Sequence, residues 1–252
     1  DMENGWVYWS NWDGLADATS SIQMQKGLSA QNLATPSIGG SMNIITDAAA
    51  LERGGSFKQE VGAWGFLKST LSYNSGLMLD DKLALSATLV RKTGDGYYTG
   101  TWTDAWAYYF GGTYNLNDKH RFQFYALGAP QRHGQNLYRL NVASLDQDFA
   151  KTLGGFDDID LSEVPECGRD CSGTGSSVSS EAAALLGDQQ FEMYTEYTGE
   201  RHEENLINER ENFFHKPQVA LNHYWNIKDD MRLNTSFYWS GGMGGGTGTY
   251  GD

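Results

Sequence analysis

The feature of this sequence that most constrains its fold is an alternation of apolar and polar residues with a period of two. In residues 83–89, Leu, Leu, Ala and Leu at the odd positions alternate with Ala, Ser and Thr. Successive side chains of a β-strand point to opposite faces, so such a stretch predicts a strand with one apolar and one polar face. About seven such stretches occur, close to residues 57–63, 67–74, 83–89, 106–115, 122–127, 218–225 and 232–239.

The connections between these stretches alternate in length. Short turns lie at 79–82, 117–120 and 228–230, and longer connections lie at 94–104, at 131–213 and from Gly241 onward. Short turns at one end and long loops at the other are typical of an outer-membrane β-barrel. A soluble β-sandwich also alternates, but a loop of about 80 residues is rare in one. The pattern favours a mainly β chain with an antiparallel transmembrane barrel segment, and it does not show which face points outward.

Aromatic residues near the strand ends fit this interpretation, because barrels carry aromatic girdles at both membrane interfaces. The residues predicted for the girdles are Tyr73, Tyr97, Tyr98, Trp102, Trp106, Trp225 and Trp239. Seven strands is an odd number, and an open sheet in lipid would leave two costly unpaired edges. The chain begins at Asp1 without a signal peptide, so we expect a mature chain or an internal fragment, and the open edges favour an incomplete one.

Composition and charge exclude several other classes. No stretch of 18 apolar residues predicts a transmembrane helix. Nearly all of the net charge of -14 lies in residues 141–211, where 17 Asp or Glu accompany 4 Lys or Arg. The remainder is close to neutral and offers no basic patch for nucleic acid. The acidic block is interpreted as a solvated loop.

The sequence contains no catalytic constellation, since GxSxG, HExxH and P-loop motifs are absent. An enzyme is therefore not expected. The five histidines are scattered and do not occur at ligand spacing on one element. They are predicted to be single surface or loop side chains, and they are His120, His133, His202, His215 and His223.

One stretch carries a family resemblance. Residues 22–46, IQMQKGLSAQNLATPSIGGSMNIIT, resemble the C-terminal part of the plug domain of TonB-dependent outer-membrane receptors. The family pattern is a short strand, Arg-Gly-Pro, a loop, and Gly-Gly-x-Ile-Asn-Ile-Ile-Thr. Lys26-Gly27-Leu28 stands in place of Arg-Gly-Pro and Met42 in place of the first Ile. The matching residues are Gly39, Gly40, Asn43, Ile44, Ile45 and Thr46, and residues 76–100 resemble the second and third barrel strands.

The resemblance implies an architecture. Residues 1–53 would be the C-terminal part of a small mixed α/β plug domain, and residues 54–252 the N-terminal part of the barrel, with a long acidic extracellular loop at about 131–213. Since plugged transporters have about 22 strands, the first half of the plug, the TonB box and about fifteen strands would lie outside this chain. In the plug, Met42, Ile44 and Ile45 would pack in a small core, and Asn43 would bond across to the polar lumen.

The resemblance also implies a function. The receptor would bind a scarce nutrient (an iron chelate, cobalamin or an oligosaccharide) at the outer membrane of a Gram-negative bacterium. It would import that nutrient when a TonB-type energy-transducing protein remodels the plug, and a surface lipoprotein is a further possible partner. Two alternatives stay open. One is a passive outer-membrane channel or adhesive barrel, and the other is a secreted β-rich carbohydrate-binding protein.

Candidate binding residues follow from these expectations. By resemblance, Trp6, Tyr8, Trp9 and Trp12 fall on a plug loop facing the extracellular cavity, where rings could stack on a sugar or a flat chelate or pack against the wall. Gln131, Arg132 and His133 lie where the fifth strand leaves the membrane, and they are weaker candidates.

The acidic loop adds two predictions. Cys167 and Cys171, the only cysteines, are expected to form a disulfide in an oxidising compartment, with a metal site as the less favoured alternative. No cofactor is otherwise expected. A weak calcium-site candidate consists of Asp157, Asp158, Asp160 and Glu163, whose spacing does not match an EF-hand.

Overall fold

The computed structural model describes residues 15–27, 39–137, 139–155, 160–177, 206–208 and 210–248. Residues 15–53, as far as they are described, form what we call the N-terminal segment. It contains two 3₁₀ turns, Leu15–Ala18 and Ala48–Ala50, and the strands β1 (Ser21–Lys26) and β2 (Gly40–Ile45). The two strands pair antiparallel as a ribbon in which Ile22 lies opposite Ile44 and Met24 opposite Met42.

The remaining strands are mostly long. They are β3 (Gly54–Val61), β4 (Leu67–Met78), β5 (Leu83–Gly94), β6 (Thr103–Asn117), β7 (His120–Gly128), β8 (Gln131–Gly134), β9 (Gly175–Ser177), β10 (Leu206–Asn208), β11 (Glu211–His215), β12 (Gln218–Lys228), β13 (Met231–Ser240) and β14 (Met243–Gly246). Seven of them form one antiparallel sheet in the order β3-β4-β5-β6-β7-β12-β13, which confirms the predicted mainly β fold. Within the described residues, β3 and β13 are its edges and the sheet is not closed.

The two ends of the sheet differ. At one end, which we call the short-turn end, tight turns join β4 to β5, β6 to β7 and β12 to β13. In the first of these turns Leu79, Asp80 and Asp81 have φ of 54°, 55° and 62°, and the Lys82 N–H donates to the Met78 carbonyl at 3.0 Å. At the other end, the long-loop end, β8 pairs with β6 and β11, and β14 pairs with β11. Strands thus occupy both margins of the segment 131–213.

A small helical unit lies between β8 and β11. It consists of α1 (Val142–Leu145), α2 (Gln147–Leu153) and the 3₁₀ turn Leu161–Glu163. Ala143, Ala150 and Leu161 form its buried apolar cluster. The Asp146 carboxylate accepts from the Phe149 N–H at 2.8 Å and caps α2 at its N-terminus, and this hydrogen bond comes first among the causes that lower the pKa of Asp146.

Cys167 and Cys171 form a disulfide next to this unit. The Cys167 N–H donates to the Ser144 carbonyl at 2.9 Å, and the Thr99 N–H donates to the Asp170 carbonyl at 2.8 Å. The disulfide loop therefore connects the helical unit to the loop between β5 and β6.

Among the described residues, no helix is long and apolar enough to span a membrane.

The two faces of the sheet are inverted relative to those of a soluble protein. Large apolar side chains are exposed on one face, including Phe57 at 68%, Leu71 at 57% and Phe237 at 68%. Hydroxyl side chains on the opposite face are buried, and these are Thr70, Ser86, Thr88 and Thr113. We call these the apolar face and the polar face. Residues that the alternation predicted to be apolar thus cover the side of the sheet that has no second layer among the described residues.

Four side chains differ from their predicted roles. Trp102 is only 3% exposed, so it cannot belong to an interfacial girdle. Asn43 does not reach the wall, since its amide donates to Gln23 Oε1 across the ribbon at 3.3 Å. The other two are Met42 and Ile44, which are 45% and 36% exposed on the ribbon instead of lying in a core.

Candidate functional site: a contact between the N-terminal segment and the polar face

The N-terminal segment lies on the polar face of the sheet. Its two 3₁₀ turns contact β4, β5 and β6, and Ala18 packs against Tyr109 of β6 and Leu127 of β7. Ala48 is 3% exposed in the same layer. The second layer of the structure therefore covers the face that carries hydroxyl and charged side chains.

Asp47 is the centre of this contact. Its Oδ2 accepts from Arg121 Nη2 of β7 at 2.7 Å, and its Oδ1 accepts from Thr113 Oγ1 of β6 at 3.0 Å. The same Oδ1 accepts from the Ala49 N–H at 3.1 Å, which caps the 3₁₀ turn Ala48–Ala50. One carboxylate thus stabilises a local turn and joins it to two strands of the sheet.

The charge of Asp47 is favoured by this environment. Burial is the largest influence and raises the pKa of Asp47, but the Arg121 hydrogen bond and charge and the Ala49 and Thr113 hydrogen bonds together outweigh it. The net result is a pKa below the ordinary 3.8. Because the folded pKa is lowered, the stabilisation is fully present above pH 3.8 and is lost as the pH falls through the folded value.

A second ion pair lies near the start of the segment. Lys68 Nζ of β4 lies 2.7 Å from Asp17 Oδ2 and 3.5 Å from Glu60 Oε2 of β3. The Lys68 and Asp17 side chains are 18% and 12% exposed, so the pair is better shielded from water than Asp47–Arg121, whose side chains are 22% and 40% exposed. The N-terminal segment is therefore attached to the sheet at two separate points.

The end of the ribbon that carries Ser20 and Ile45 is hydrogen-bonded to Asp47. The Ser20 hydroxyl donates to the Ile45 carbonyl at 2.7 Å, and the Ser20 Oγ accepts from the Asp47 N–H at 3.3 Å. Tyr109 and Thr46 share a side-chain hydrogen bond. Movement of the ribbon would thus be transmitted to the Asp47 contact.

The double glycine of the motif divides into two roles. Gly40 has φ of +122°, and a Cβ there would lie 2.2 Å from the Gln25 carbonyl oxygen, so only glycine fits. Gly39 has nothing within 4 Å of such an atom. Gly27 also has a positive φ, 77°, directly after Lys26 at the end of β1.

The residues predicted at the long-loop end lie on both faces of the sheet. Gln131 is opposite Ala105 and Phe214 and is 8% exposed, on the side of the polar face. The His133 ring contacts the Phe214 ring edge-on at 6.3 Å.

Arg132 points the other way. It lies opposite Asp104, donates to Glu211 Oε2 at 3.1 Å, and lies over the Trp102 ring at 5.8 Å. Arg91 extends this row, because its guanidinium binds the Asp104 carboxylate through both Nη atoms and lies over Trp106 at 5.1 Å. Arg132 is thus committed to an ion pair away from the polar face.

Two groups of predicted residues lie wholly or partly outside the described residues. Trp6, Tyr8, Trp9 and Trp12 lie outside the described residues. So do Asp157 and Asp158, and the calcium site therefore stays a prediction. In the described part of the chain, no three His, Cys, Asp or Glu side chains lie together in an arrangement that could hold a metal ion.

The expectation of five single histidines is wrong for two of them. His120 Nδ1 and His223 Nε2 are 3.0 Å apart. They are 103 residues apart in sequence, and the pairing of β7 with β12 brings them together.

Sequence reasoning also missed the Asp47–Arg121 and Asp17–Lys68 pairs. A signal for their wall partners was present, since Lys68 and Arg121 occupy alternate, polar positions of predicted strands. A charge on the polar face of a strand needs a partner when that face is covered.

Comparisons with known proteins bear on the fold. No family model matches the sequence, and no curated protein matches it. Among solved structures, the chain is similar to the ferric-catecholate import receptor Fiu from K12 E. coli in its closed form, with 15% identity over 90% of this chain and 27% of that chain and a TM-score of 0.55.

Two further receptors give similar values. The siderophore receptor PiuA from Acinetobacter baumannii matches with 11% identity over 91% of this chain and 27% of that chain, TM-score 0.57. The pyoverdine outer membrane receptor FpvA from Pseudomonas aeruginosa PAO1 matches with 12% identity over 87% and 25%, TM-score 0.56. The chain spans about a quarter of the length of these receptors. It therefore shares the fold of one part of the outer-membrane siderophore receptors, in agreement with the resemblance found in the sequence.

Proposed function

We propose that this chain is part of a TonB-dependent outer-membrane receptor that imports an iron chelate. Residues 1–53 supply the C-terminal part of the plug, and residues 54–252 supply the first strands of the barrel with the acidic loop outside the cell. The observation that carries the proposal is the inverted sheet, with the N-terminal segment on the polar face and large apolar side chains exposed on the other. A secreted carbohydrate-binding protein would bury its apolar face.

Lipid accounts for the exposed apolar face. A row on β6 shows this, since Trp106, Tyr108, Phe110, Tyr114 and Leu116 are all at least 36% exposed and are spread over eleven residues of one strand. Eleven residues at about 3.3 Å each and a tilt of about 40° cover a height of about 25–28 Å, which fits the apolar band of an outer-membrane barrel. This match supports the proposed outer-membrane location.

An iron chelate is the substrate class that the comparisons support. The similar solved structures are described as a ferric-catecholate import receptor, a siderophore receptor and a pyoverdine receptor. Cobalamin and oligosaccharides are the other classes carried by this architecture, and a substrate screen separates them.

The Asp47 and Asp17 contacts suit a gate that must open without chemistry. The Asp47–Arg121 pair is accessible enough to water that it contributes only about 1–2 kcal/mol, and side chains that leave the sheet are hydrated at once. A TonB-type protein that pulls on the plug could therefore break the contacts one after the other. Transport then requires no bond making or breaking in the chelate, and no enzyme activity is proposed.

The experiment uses the complete receptor in the outer membrane of a host with and without an active energy-transducing complex. Binding and uptake of ⁵⁵Fe-labelled ferric catecholate and ferric pyoverdine are measured, with labelled cobalamin and maltooligosaccharide in parallel. We expect saturable binding of an iron chelate in both hosts and uptake only in the energised host.

Other outcomes contradict parts of the proposal. Equal uptake in both hosts would identify a passive channel. Uptake of cobalamin or sugar alone would retain the transporter and replace the substrate. Recovery of the protein without detergent would refute the barrel.

A further inference from the structure

Three exposed aromatic side chains lie together at the long-loop end of the sheet, and we call them the aromatic trio. Trp64 lies in the turn between β3 and β4, and Tyr97 and Tyr98 lie in the loop between β5 and β6. The ring centroids of Trp64 and Tyr97 are 5.1 Å apart with planes at 77°, and those of Tyr97 and Tyr98 are 4.9 Å apart at 75°. The three side chains are 57%, 41% and 42% exposed, so each ring keeps open surface for a ligand.

Trp64 occupies a backbone position that does not suit tryptophan. It and Gly65 are the central residues of a two-residue turn, closed by a hydrogen bond from the Phe66 N–H to the Ala63 carbonyl at 3.2 Å. Their φ angles are 53° and 64°. Positive φ at both positions is typical of a type I′ turn, whose first central residue is usually Asn, Asp or Gly. The sequence thus places a large ring at the tip of this turn against the local preference, which indicates a role for the ring itself.

The two loops that carry the trio are held against each other. The Asp95 N–H donates to the Trp64 carbonyl at 2.9 Å, and a Cβ at Gly65 would collide with the Asp95 carboxylate. The Thr101 hydroxyl donates to the Tyr98 carbonyl at 2.6 Å. The rings are therefore carried by backbone that needs little further ordering when a ligand binds, and this lowers the entropic cost of binding.

The surroundings of the trio are acidic. The Asp95 carboxylate packs against the Trp64 turn, and the Thr99 N–H donates to the carbonyl of Asp170 at 2.8 Å. Asp170 belongs to the acidic segment 141–211, which holds 17 Asp or Glu and 4 Lys or Arg. An anionic ligand such as a phosphate would be repelled here, whereas an uncharged ligand with hydroxyl groups would find carboxylate acceptors.

We propose that the aromatic trio binds a sugar ring of a neutral oligosaccharide outside the cell. The C–H groups of a sugar ring pack on the negative face of an indole or phenol ring, and its hydroxyls donate to carboxylates such as Asp95. Open aromatic rings with a few polar groups beside them supply the contacts that such a ligand needs. The inference goes beyond the import of an iron chelate, and only the location outside the cell rests on the orientation proposed above.

An interfacial girdle, to which Tyr97 and Tyr98 were assigned by the sequence, is the competing role. A girdle requires aromatic side chains at the level of the membrane interface. It requires neither tryptophan at a positive φ nor a hydrogen bond to the acidic segment. The experiment separates the two roles, because girdle residues do not bind a sugar in solution.

The test is binding of hexasaccharides to the complete receptor in micelles of a detergent that has no sugar headgroup. Maltohexaose, cellohexaose and the hexamer of N-acetylglucosamine are the neutral probes, and hexagalacturonate is the anionic comparison. Saturation-transfer difference NMR detects contact, and calorimetry gives the dissociation constant. We expect saturable binding of at least one neutral probe, with hexagalacturonate bound at least tenfold more weakly.

Trp64→Asn is the most informative variant, because asparagine suits the positive φ and leaves the turn at least as stable. We expect Trp64→Asn and Tyr97→Ala each to weaken binding of the neutral probe at least tenfold. Trp239→Ala is the matched control, since it removes a tryptophan that is 54% exposed on β13 near the same end of the sheet. It should leave binding unchanged. Heat-modifiable migration on gels shows that each variant is folded.

Three results would overturn the proposal. They are the absence of saturable binding of all three neutral probes, unchanged affinity in folded Trp64→Asn, and hexagalacturonate bound as tightly as the neutral probes. The first two would leave the trio as part of the girdle. Uptake of labelled iron chelate is measured separately, so a failure of sugar binding and a failure of the import proposal are distinguishable.

Discussion

Replacing Asp47 by alanine should loosen the N-terminal segment without unfolding the sheet. The substitution removes the hydrogen bonds from Arg121 and Thr113 and the cap on the Ala49 N–H. A hydrogen bond to a charged group contributes about 1.5–3 kcal/mol when shielded, and loss of a cap costs about 1 kcal/mol. The Arg121 side chain is 40% exposed, so its ion pair belongs near the lower, solvent-screened end. We expect a total of about 2 kcal/mol.

Amide hydrogen exchange measured by mass spectrometry on the complete receptor can detect this change. A loss of about 2 kcal/mol in local opening free energy corresponds to about thirtyfold faster exchange in peptides covering residues 40–51, with peptides from β5 and β6 unchanged. Asp229→Ala serves as the matched control, because this aspartate lies in an exposed turn at the short-turn end.

A double-mutant cycle then isolates the ion pair. Asp47→Ala and Arg121→Ala should couple by about 1 kcal/mol, because each removes the same contact. Exchange of residues 40–51 that changes less than threefold in Asp47→Ala, or single effects that add without coupling, would refute the idea that this carboxylate anchors the segment to the wall.

Three further predictions concern other parts of the described structure. Because the pKa of Asp47 is lowered, its carboxyl ¹³C resonance should titrate below pH 3.8, and Arg121→Ala should move the midpoint upward; a midpoint already at or above 3.8 in the unaltered protein would contradict this. Gly40→Ala should speed amide exchange in β1 and β2 at least tenfold, because its Cβ would lie against the Gln25 carbonyl oxygen. Gly39→Ala should change this exchange less than twofold, since a Cβ there has no neighbour within 4 Å. Equal effects would show that the approach of Gly40 to Gln25 is unimportant. The double substitution Cys167→Ser with Cys171→Ser should destabilise the helical unit by about 2 kcal/mol, because it removes the entropic effect of closing this short loop. Amide exchange should become faster in α1 and α2 and stay unchanged in β6. Unchanged exchange in α1 and α2 would show that the apolar cluster alone holds the unit.

Much of the sheet could be predicted from the sequence, because a strand with one apolar face repeats every two residues whatever lies around it. The alternation in 83–89 and the short turn at 79–82 both correspond to observed elements, β5 and the turn before it. Leu79 shows the limit of such reasoning. A leucine with φ of 54° has no local signal, since most residues avoid this conformation.

The candidate site could be predicted only in part. The motif located Gly40 and the ribbon, but the wall partners of Asp47 depend on how the segment lies on the sheet. Arg121 is 74 residues away in sequence, and periodicity alone does not assign a partner at that distance. His120 and His223 likewise meet only because β7 and β12 pair in one register. The long segment between these strands was predicted to be a loop, so the sequence did not indicate this pairing. The sequence alone could not show which face of the sheet is covered, because the alternation is the same on either face. The position of the N-terminal segment in the structure was needed to decide it.

The position of the N-terminal segment has a consequence for the order in which the protein assembles. The wall groups that hold it lie on β4, β6 and β7, so all of them follow the segment within the first 128 residues of the chain. The segment can therefore settle on these strands while the sheet is still open at both edges. In the receptor proposed above, a plug that entered a finished cylinder would first have to thread through its mouth, whereas a wall built onto the segment can be added around a plug already in place. In that receptor the early strands serve as a template for the plug, and the later strands enclose it.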